Sequence, residues 1–296
     1  MNHEGHEGQI APAFRRFTAV RRSGIVHGMV AIPEFQTQPS RRPGLFGVIA
    51  TSRRAFARHS HDEYGIGLIE AGAQRSLSGR GMVEAGPGAV ITVNPGEIHD
   101  GAAIGDGARR WRMVYLEIGL VRDAWTDIAD RPPADFEFAW PALSHGPAAS
   151  LLRGLFQAQD DVSPDGAALG EQALLQLLAR LGTKRPPIER AVPTALQAAK
   201  ARIDADPAAP VTLAELAQDC DLSRFQTLRG FARATGFTPH AYILQRRLDL
   251  ARALIRQHRP LAEAALEAGF ADQSHLNRVF TRRHGYAPGA YARAFA

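Results

Sequence analysis

The sequence predicts an α+β protein of two domains, an N-terminal β-barrel with a helical connector and a C-terminal domain that is all-α. Three observations predict this fold class. Strand-like runs alternate with glycine turns from about Leu45 to Trp140, helical spacing replaces them after Pro141, and the last third repeats one helical unit. The predicted segments are a poorly structured 1–40, the barrel 41–141, the connector 142–182, a linker 183–193 and the helical domain 194–296.

The barrel prediction rests on short apolar runs separated by turns. The runs are LFGVIA, YGIGLIEAG, AQRSLSG, GMVEAG, GAVITVNPG and WRMVYLEI. Turn signals at a spacing of roughly 8–12 residues are typical of a β-sandwich or barrel. With 296 residues the chain is long enough for two sizeable cores.

The connector is predicted to be an antiparallel pair of helices. Residues 148–160 and 167–181 have apolar positions at helical spacing, and Ser163-Pro164-Asp165-Gly166 interrupts them. An apolar stripe left over from packing would suit a dimer contact, whereas the alternative is that both helices simply cover the barrel. Residues 183–193 contain three prolines and mixed charge, which favours a linker between domains.

The last third of the chain contains the same helical unit twice. Residues 213–217 recur 48 residues later as 261–265, and residues 223–242 match 272–291 at an offset of 49. The turn has therefore grown by one residue while the helices kept their lengths. From Thr194 onward there are 14 Lys and Arg against 9 Asp and Glu, so the net charge of +5 lies entirely on this segment. Two tandem helix-turn-helix units on a basic segment predict DNA binding.

The ends of the repeated helices are marked by capping residues. Capping boxes are predicted at Thr212 with Glu215 and at Ser223 with Gln226, and Asp272 and Pro260 suit the starts of the corresponding helices of the second unit. Gly236 and Gly285 follow the two recognition helices, where a left-handed residue is favoured.

The outer faces of the two recognition helices are the predicted DNA-reading surface. The first helix presents Arg224, Phe225, Leu228 and Arg229, and the second presents Gln273, Ser274, Asn277 and Arg278. Gln, Asn and Arg can make bidentate hydrogen bonds to base edges in the major groove. We therefore expect more of the sequence preference to come from the second helix.

A single long helix is predicted between the two units. Residues 240–257 would span about 25 Å, a rigid spacer that could place two recognition helices in successive major grooves about 34 Å apart. The arginines predicted to contact phosphates are Arg246, Arg247, Arg252, Arg256, Arg282 and Arg283.

The stretch Val211–Ala292 resembles the C-terminal DNA-binding domain of the AraC family of bacterial transcription regulators. The resemblance is carried by LSRFQTLRGFARATGFTPHAYILQRRLDLARALI and AALEAGFADQSHLNRVFTRRHGYAPGAYAR, which match nearly end to end. It implies two recognition helices in adjacent major grooves, contact with RNA polymerase and a homodimer. Thr227 departs from the family pattern, which favours leucine there, so the first core is expected to be slightly under-packed.

The barrel region contains motifs that resemble those of the cupin fold. They are His59-x-His61 and Gly88-x5-Asn94-Pro95-Gly96-x2-His99, but Gly65 and Ile66 stand where the cupin pattern has a glutamate. Neutral imidazoles on neighbouring strands can hold a transition metal, which is an alternative for these histidines. We instead predict no cofactor, and predict that the residues lining an effector pocket are His59, His61, Glu63, Tyr64 and His99.

These observations predict a sequence-specific DNA-binding transcription regulator, an activator responsive to a small molecule, rather than an enzyme. The alternatives are a cupin metalloenzyme fused to a DNA-binding module, and a DNA-binding protein whose barrel only dimerises. The expected partners are double-stranded DNA, a small effector, RNA polymerase and a second copy, with no membrane. A single Cys220 and a polar, acidic N-terminus without signal-peptide features predict the cytoplasm.

Overall fold

The computed structural model describes residues 34–128, 136–144, 146–161, 163–183 and 192–295. The strands are β1 Phe35–Pro39, β2 Leu45–Ser52, β3 Phe56–His59, β4 Tyr64–Ala71, β5 Gln74–Ser78, β6 Gly81–Ala85, β7 Val90–Val93, β8 His99–Ala103, β9 Arg109–Leu116, β10 Glu137–Phe138, β11 Ala142–Leu143 and β12 Gly182–Thr183. The helices are α1 Ile118–Ile128, α2 Pro147–Asp160, α3 Pro164–Leu181, α4 Thr194–Ala205, α5 Leu213–Asp219, α6 Arg224–Thr235, α7 Pro239–Arg256, α8 Leu261–Glu267, α9 Gln273–His284 and α10 Pro288–Arg293.

Antiparallel sheets form the N-terminal domain, which confirms its predicted β architecture. The six-stranded sheet has the order β1-β2-β9-β4-β7-β11, the four-stranded sheet has the order β3-β8-β5-β6, and β10 pairs with β12. The six-stranded sheet buries side chains on both faces, since along β9 Val114 and Leu116 join one hydrophobic cluster whereas Trp111 and Met113 join another. Successive side chains of a strand point to opposite faces, so a sheet covered on both sides explains these nearly continuous apolar runs.

The paired helices α2 and α3 cover the outer face of this sheet. Their buried residues Leu152, Phe156 and Leu174 share one cluster with Ile66 of β4 and Val114 of β9. The buried apolar residues of α2 and α3 therefore cover the sheet, as one of the two alternatives predicted. A dimer contact through these helices stays a prediction. Helix α3 begins at Pro164, earlier than predicted, because the Ser163 side chain accepts a hydrogen bond from the Gly166 amide and caps the helix start.

Part of the segment predicted to be poorly structured is a strand. Residues 35–39 form β1, which pairs along its whole length with β2, so the prediction for 1–40 is wrong over this stretch, and residues 1–33 lie outside the described part. Phe35 packs edge-on against Phe56 and Trp111, so tertiary contacts supply the apolar partner that the local sequence pattern lacks. Most of the predicted linker, residues 184–191, also lies outside the described residues.

The C-terminal domain consists of helices α4–α10, and its predicted caps are confirmed. Both capping boxes have reciprocal hydrogen bonds, and the Asp272 side chain accepts from the His275 amide. Gly236 and Gly285 are left-handed at φ of +75° and +86°. Pro260 precedes α8, as predicted. None of the helices in the described ranges is long and apolar enough to cross a bilayer.

The two helix-turn-helix units are packed differently. The first has its own core around Leu216, Phe231 and Ile243, joined by residues of α4. The second unit shares one hydrophobic cluster with the barrel, and this cluster contains Phe46 of β2 and Phe280 of α9. The second unit is therefore docked onto the barrel through continuous hydrophobic packing, and its orientation depends on the barrel.

Gly285 of the second unit lies against Phe35 of the barrel, and this close contact leads to a prediction about stability. A Cβ at this position would lie 2.5 Å from the Cε1 atom of Phe35, whereas one at Gly105, also left-handed, would meet nothing within 4 Å. Left-handed strain of about 1–2 kcal/mol applies to both alanine variants. We expect Gly285→Ala to lower the free energy of unfolding in urea by more than Gly105→Ala, because Phe35 must also move. Equal losses would contradict a close contact between this turn and the barrel.

Candidate functional site

A cavity of about 100 Å³ lies where the barrel meets the second helix-turn-helix unit. The barrel contributes the aromatic rings of Phe35, Phe56, Trp111 and Tyr115 together with histidines. The C-terminal domain contributes Arg252, Arg283, His284 and Tyr286. Both domains therefore form the wall of the same cavity.

Four histidines converge on this cavity. His59 of β3 and His99 of β8 are cross-strand partners, and their ring centroids are 4.3 Å apart. The ring centroid of His61 lies 5.1 Å from that of His99, and His284 of α9 lies 6.2 Å from His59. The three barrel histidines predicted to line a pocket do line the cavity, although effector contact stays a prediction. His284 was missed because its position in a helix-turn-helix repeat gives no indication of a pocket.

The hydrogen bonds of the barrel histidines fix their tautomers. The Nδ1 atoms of His59, His61 and His99 each lie 2.9 Å from a backbone carbonyl oxygen. A carbonyl oxygen only accepts, so Nδ1 carries the proton and Nε2 presents a lone pair in the neutral ring. Burial lowers the pKa of all four histidines, including His284, and thus favours the neutral form.

Two of these imidazole nitrogens lack any partner in the described part of the chain. They are Nε2 of His61 and Nε2 of His284, both buried. Buried polar atoms without a hydrogen bond are rare in proteins. These two nitrogens are therefore available to a hydrogen-bonding partner in the cavity.

The donor set does not fit a cupin metal centre. Gly65 and Ile66 occupy the positions of the expected glutamate, and Glu70 pairs instead with Arg110 at the surface. Among the described residues, no three His, Cys, Asp or Glu side chains form a group that could hold a metal ion.

Glu63 does not line the cavity, so this part of the predicted effector site is wrong. Its carboxylate is 1% exposed and accepts hydrogen bonds from Nη2 of Arg252 at 2.7 and 2.6 Å and from Nη1 of Arg256 at 2.9 Å. The Tyr291 hydroxyl lies 3.3 Å from it. The carboxylate points to the helical domain because that domain supplies the cations that compensate its burial.

Tyr64 is also placed elsewhere. Its hydroxyl donates to the backbone carbonyl of Phe136 at 2.7 Å, and its ring packs against Phe136 and Phe138. Tyr64 begins β4 on the face covered by helices, opposite the cavity, since side chains alternate along a strand. The prediction that it lines the effector pocket is therefore wrong.

One face of α7 forms the polar contact between the domains. Gln245 donates from Nε2 to the Ser60 carbonyl at 2.9 Å and to Oδ1 of Asp249 at 2.8 Å, and Arg252 follows three residues further along. Burial raises the pKa of Asp249 to about 7. Spacing of four and three residues places these side chains on one helix face, so a polar stripe in the sequence could have indicated the contact.

Most of the arginines predicted to contact phosphates are engaged within the protein. Arg252 and Arg256 bind Glu63, Arg246 pairs with Asp204 and Asp249, and Arg247 donates to carbonyls that include that of Gly269. The prediction for Arg252 is wrong, because its side chain is 3% exposed. Arg282 remains exposed and available to phosphate.

The predicted DNA-reading residues lie on the outer faces of α6 and α9. Six of the eight side chains are exposed and two are half-buried, the latter being Leu228 and Asn277; the exposed ones are Arg224, Phe225, Arg229, Gln273, Ser274 and Arg278. The inward positions Thr227 and Phe280 are fully buried. The Thr227 hydroxyl donates to the Ser223 carbonyl at 3.0 Å, so the polar atom introduced there is satisfied. Base contact by these residues stays a prediction.

Helix α9 carries residues predicted to read DNA and also residues that line the cavity. Its exposed face holds Gln273 and Arg278, and its last two residues, Arg283 and His284, reach the cavity. His284 lies six positions after Arg278 in the helix, which corresponds to a rise of about 9 Å along the helix axis. Nη1 of Arg283 also donates to the carbonyl of Arg58 in the barrel. The cavity wall and the predicted DNA-reading face therefore share one helix.

Comparison with known protein families gives two matches along the chain. Residues 42–179 match the AraC-like ligand binding domain, and residues 216–294 match a helix-turn-helix domain. Together the two matched ranges cover most of the barrel, the covering helices and most of the two helix-turn-helix units.

Several bacterial regulatory proteins are similar in sequence. YbfI of Bacillus subtilis, an uncharacterised HTH-type transcriptional regulator, is 28% identical over 228 residues, 75% of this chain and 81% of YbfI. The MmsAB operon regulatory protein of Pseudomonas aeruginosa is 25% identical over 254 residues, 79% of this chain and 76% of that protein. The probable transcriptional regulator LumQ of Photobacterium leiognathi is 38% identical over 82 residues, so the match spans only 33% of LumQ and 27% of this chain.

A solved structure shares the fold of almost the whole chain. Apo ToxT from Vibrio cholerae, determined as a point variant, superposes with a TM-score of 0.51 and 11% sequence identity, covering 88% of this chain and 100% of the ToxT chain. At this identity the likeness concerns the fold alone. It confirms an arrangement with an N-terminal β domain and a C-terminal helical domain.

Proposed function

Since the chain belongs to the AraC family of transcriptional regulators, we propose that a small molecule bound in the cavity controls how α6 and α9 engage DNA. The proposal is supported by the observation that α9 carries the exposed side chains predicted to read DNA and also forms part of the cavity wall. A bound molecule that favours one position of α9 shifts the population of DNA-competent molecules. Typical coupling of about 1–3 kcal/mol corresponds to a change in operator affinity of about 5- to 150-fold.

We further propose that this response is regulation without catalysis. Activation through contact with RNA polymerase, action as a homodimer and location in the cytoplasm belong to the same proposal. The covering helices α2 and α3 support the dimer part of it, since Leu169 of α3 is 59% exposed. The cavity argues against a barrel that serves dimerisation alone, because such a barrel would be filled by its own side chains.

Genome-wide binding of the tagged protein in its own host tests this proposal. We expect discrete promoter peaks, and we expect the affinity for the strongest site to fall steeply with salt, as phosphate contacts require. The tagged protein carrying Arg278→Ala serves as the control and should lose those peaks. Uniform, weak binding along the chromosome would contradict a sequence-specific regulator.

A double substitution at His59 and His99 separates sensing from DNA binding. We expect His59→Ala with His99→Ala to abolish the change in reporter expression that the inducing growth condition produces, because both imidazoles line the cavity. Operator binding measured by gel shift should survive, since α6 and α9 keep their exposed faces. A normal response from the double variant would remove these residues from the sensing site.

A further inference from the structure

Arg109 is a buried cation without a carboxylate partner in the described part of the chain. It is 1% exposed and lines the cavity, with its guanidinium over the ring of Trp111 at 4.5 Å and that of Phe56 at 5.7 Å. Its Nη atoms donate to the carbonyls of Arg54 and Gly101 at 3.0 and 3.4 Å, and its Nε has no partner. Burial lowers the pKa of this guanidinium to about 10. A buried charge of this kind is costly until an anion compensates it.

Arg283 brings a second cation, partly buried, from the helical domain. It lines the same cavity, and burial, followed by the neighbouring Arg282, lowers its pKa. Within the described residues no carboxylate offsets this effect. An anion in the cavity would contact cations of both domains at once, and charge-assisted hydrogen bonds from guanidinium to carboxylate are among the strongest.

The two carboxylates that line the cavity are already occupied. Glu97 accepts hydrogen bonds from the amides of Asn94 at 3.1 Å and Gly79 at 3.2 Å, and Asp100 accepts from the amide of Leu77 at 2.7 Å. Both are directed at backbone donors rather than at the arginines. The positive charge of the arginines is therefore available to a ligand.

The barrel histidines require a different group on the same ligand. Their Nε2 atoms are acceptors, because their Nδ1 protons are held by backbone carbonyls. A carboxylate cannot satisfy an acceptor, whereas a hydroxyl group donates to one. The ligand thus needs an anionic end and a donor end.

We propose that the cavity binds a small carboxylate that also carries a hydroxyl group. The carboxylate contacts Arg109 and Arg283, and the hydroxyl donates to one Nε2 atom of the histidine cluster formed by His59, His61 and His99. The aromatic walls pack against the body of the ligand. The cavity is only partly enclosed, and its volume of about 100 Å³ is smaller than the about 150 Å³ of a closed engineered cavity that holds benzene. The ligand is therefore no larger than about one ring with its two polar groups, and part of it extends towards the open side of the cavity. This inference rests on the proposed function and names the ligand class of that site.

A metal cation is the other occupant that such imidazoles could accept, and the structure favours the organic anion. The carboxylates of Glu97 and Asp100 beside the histidine cluster accept hydrogen bonds from backbone amides, and two guanidinium groups face the same space. Like charges disfavour a dication there. Zinc binding is therefore one of the outcomes that the experiment distinguishes.

Calorimetry on the purified full-length chain, without DNA, tests the ligand class. The probes are 3-hydroxybenzoate, 4-hydroxybenzoate and mandelate, compared with benzoate, which lacks the hydroxyl, phenol, which lacks the carboxylate, and zinc chloride. We expect at least one hydroxycarboxylate to bind about tenfold or more tightly than benzoate and phenol. The absence of DNA keeps this result independent of whether the operator-binding proposal holds.

Two adjacent arginines of α9 provide matched variants. Arg283→Gln should weaken the binding of the preferred hydroxycarboxylate about 10- to 100-fold, since it removes a charge-assisted contact. Arg282→Gln removes the same charge from an exposed side chain and should leave the affinity unchanged. The double variant His59→Ala with His99→Ala should bind 4-hydroxybenzoate no better than benzoate. Circular dichroism and thermal melting establish that each variant is folded.

Three results would overturn the ligand class. They are no binding by any of the hydroxycarboxylates, equal binding of the analogues that lack the hydroxyl or the carboxylate, and tight zinc binding that the His59→Ala, His99→Ala variant loses. Equal effects of Arg283→Gln and Arg282→Gln would likewise remove Arg283 from the site.

Discussion

Substitution of Glu63 by alanine is expected to lower the free energy of unfolding by about 3–5 kcal/mol, the cost of breaking a buried ion pair by removing one partner. The Arg252 side chain that faces this carboxylate is 3% exposed, so the variant would leave a buried guanidinium without its anion. Arg256 and the Tyr291 hydroxyl would lose the same partner. Denaturation in urea, followed by circular dichroism, measures the loss.

The pair between Glu70 and Arg110 provides the control. Its Nε–Oε2 distance is 2.6 Å, equal to the shortest distance between Arg252 and Glu63, but the arginine side chain is 50% exposed. Exposed pairs contribute only about 0–1 kcal/mol, so Glu70→Ala should have a small effect. A double variant, Glu63→Gln with Arg252→Met, should recover part of the stability, because neutral side chains replace both buried charges. Similar losses for Glu63→Ala and Glu70→Ala would show that the contact between the domains is not held by this pair.

The Glu63 variant also tests coupling between the domains. The carboxylate joins the barrel to α7, next to the cavity that both domains line. We expect Glu63→Gln to weaken the effect of an inducing growth condition on promoter occupancy while isolated operator binding persists. An unchanged response would show that signal transmission runs through α9 alone.

Arg278→Ala is expected to weaken binding to the operator by about 5- to 150-fold, the equivalent of about 1–3 kcal/mol for one bidentate base contact. Arg278 lies on the exposed face of α9, one to two turns before Arg283 and His284, which line the cavity. Sequence preference at one base pair should relax, whereas binding to random DNA should hardly change. Competition assays with single-base operator variants measure both effects.

Arg122→Ala is the matched control for this change. Arg122 lies on α1, its side chain is 76% exposed, and its substitution removes the same charge from the covering side of the barrel. We expect no change in operator affinity from it. An equal loss by Arg278→Ala on operator and random DNA would instead assign Arg278 to a phosphate contact.

Local chemistry was sufficient to predict the helix-turn-helix domain from the sequence. Thr212 and Ser223 form their predicted capping boxes, and Gly236 and Gly285 are left-handed where the helices end. Such features involve residues a few positions apart, and therefore each can be identified without knowledge of the rest of the fold. The strand-like runs of the barrel are likewise periodic over short stretches.

The candidate site depended more strongly on long-range packing. His59, His61 and His99 were found from their motifs, since neighbouring strands of a barrel bring them together. Tyr64 was wrongly predicted to line the effector pocket, because the sheet face on which a strand residue lies depends on the register of that strand within the sheet. Glu63 was misplaced because its partners come from a helix about 190 residues away, as the separation of 189 residues from Arg252 shows.

By itself the sequence determined two tandem recognition helices, their caps, a histidine-bearing barrel and a basic DNA-binding segment. Only the tertiary structure decided that the second unit packs on the barrel, that His284 and Arg283 complete the cavity, and that Arg252 binds Glu63 rather than phosphate. The physical reason is that capping and periodicity act over a few residues. The burial and pairing of charges, in contrast, depend on which distant surfaces exclude water together.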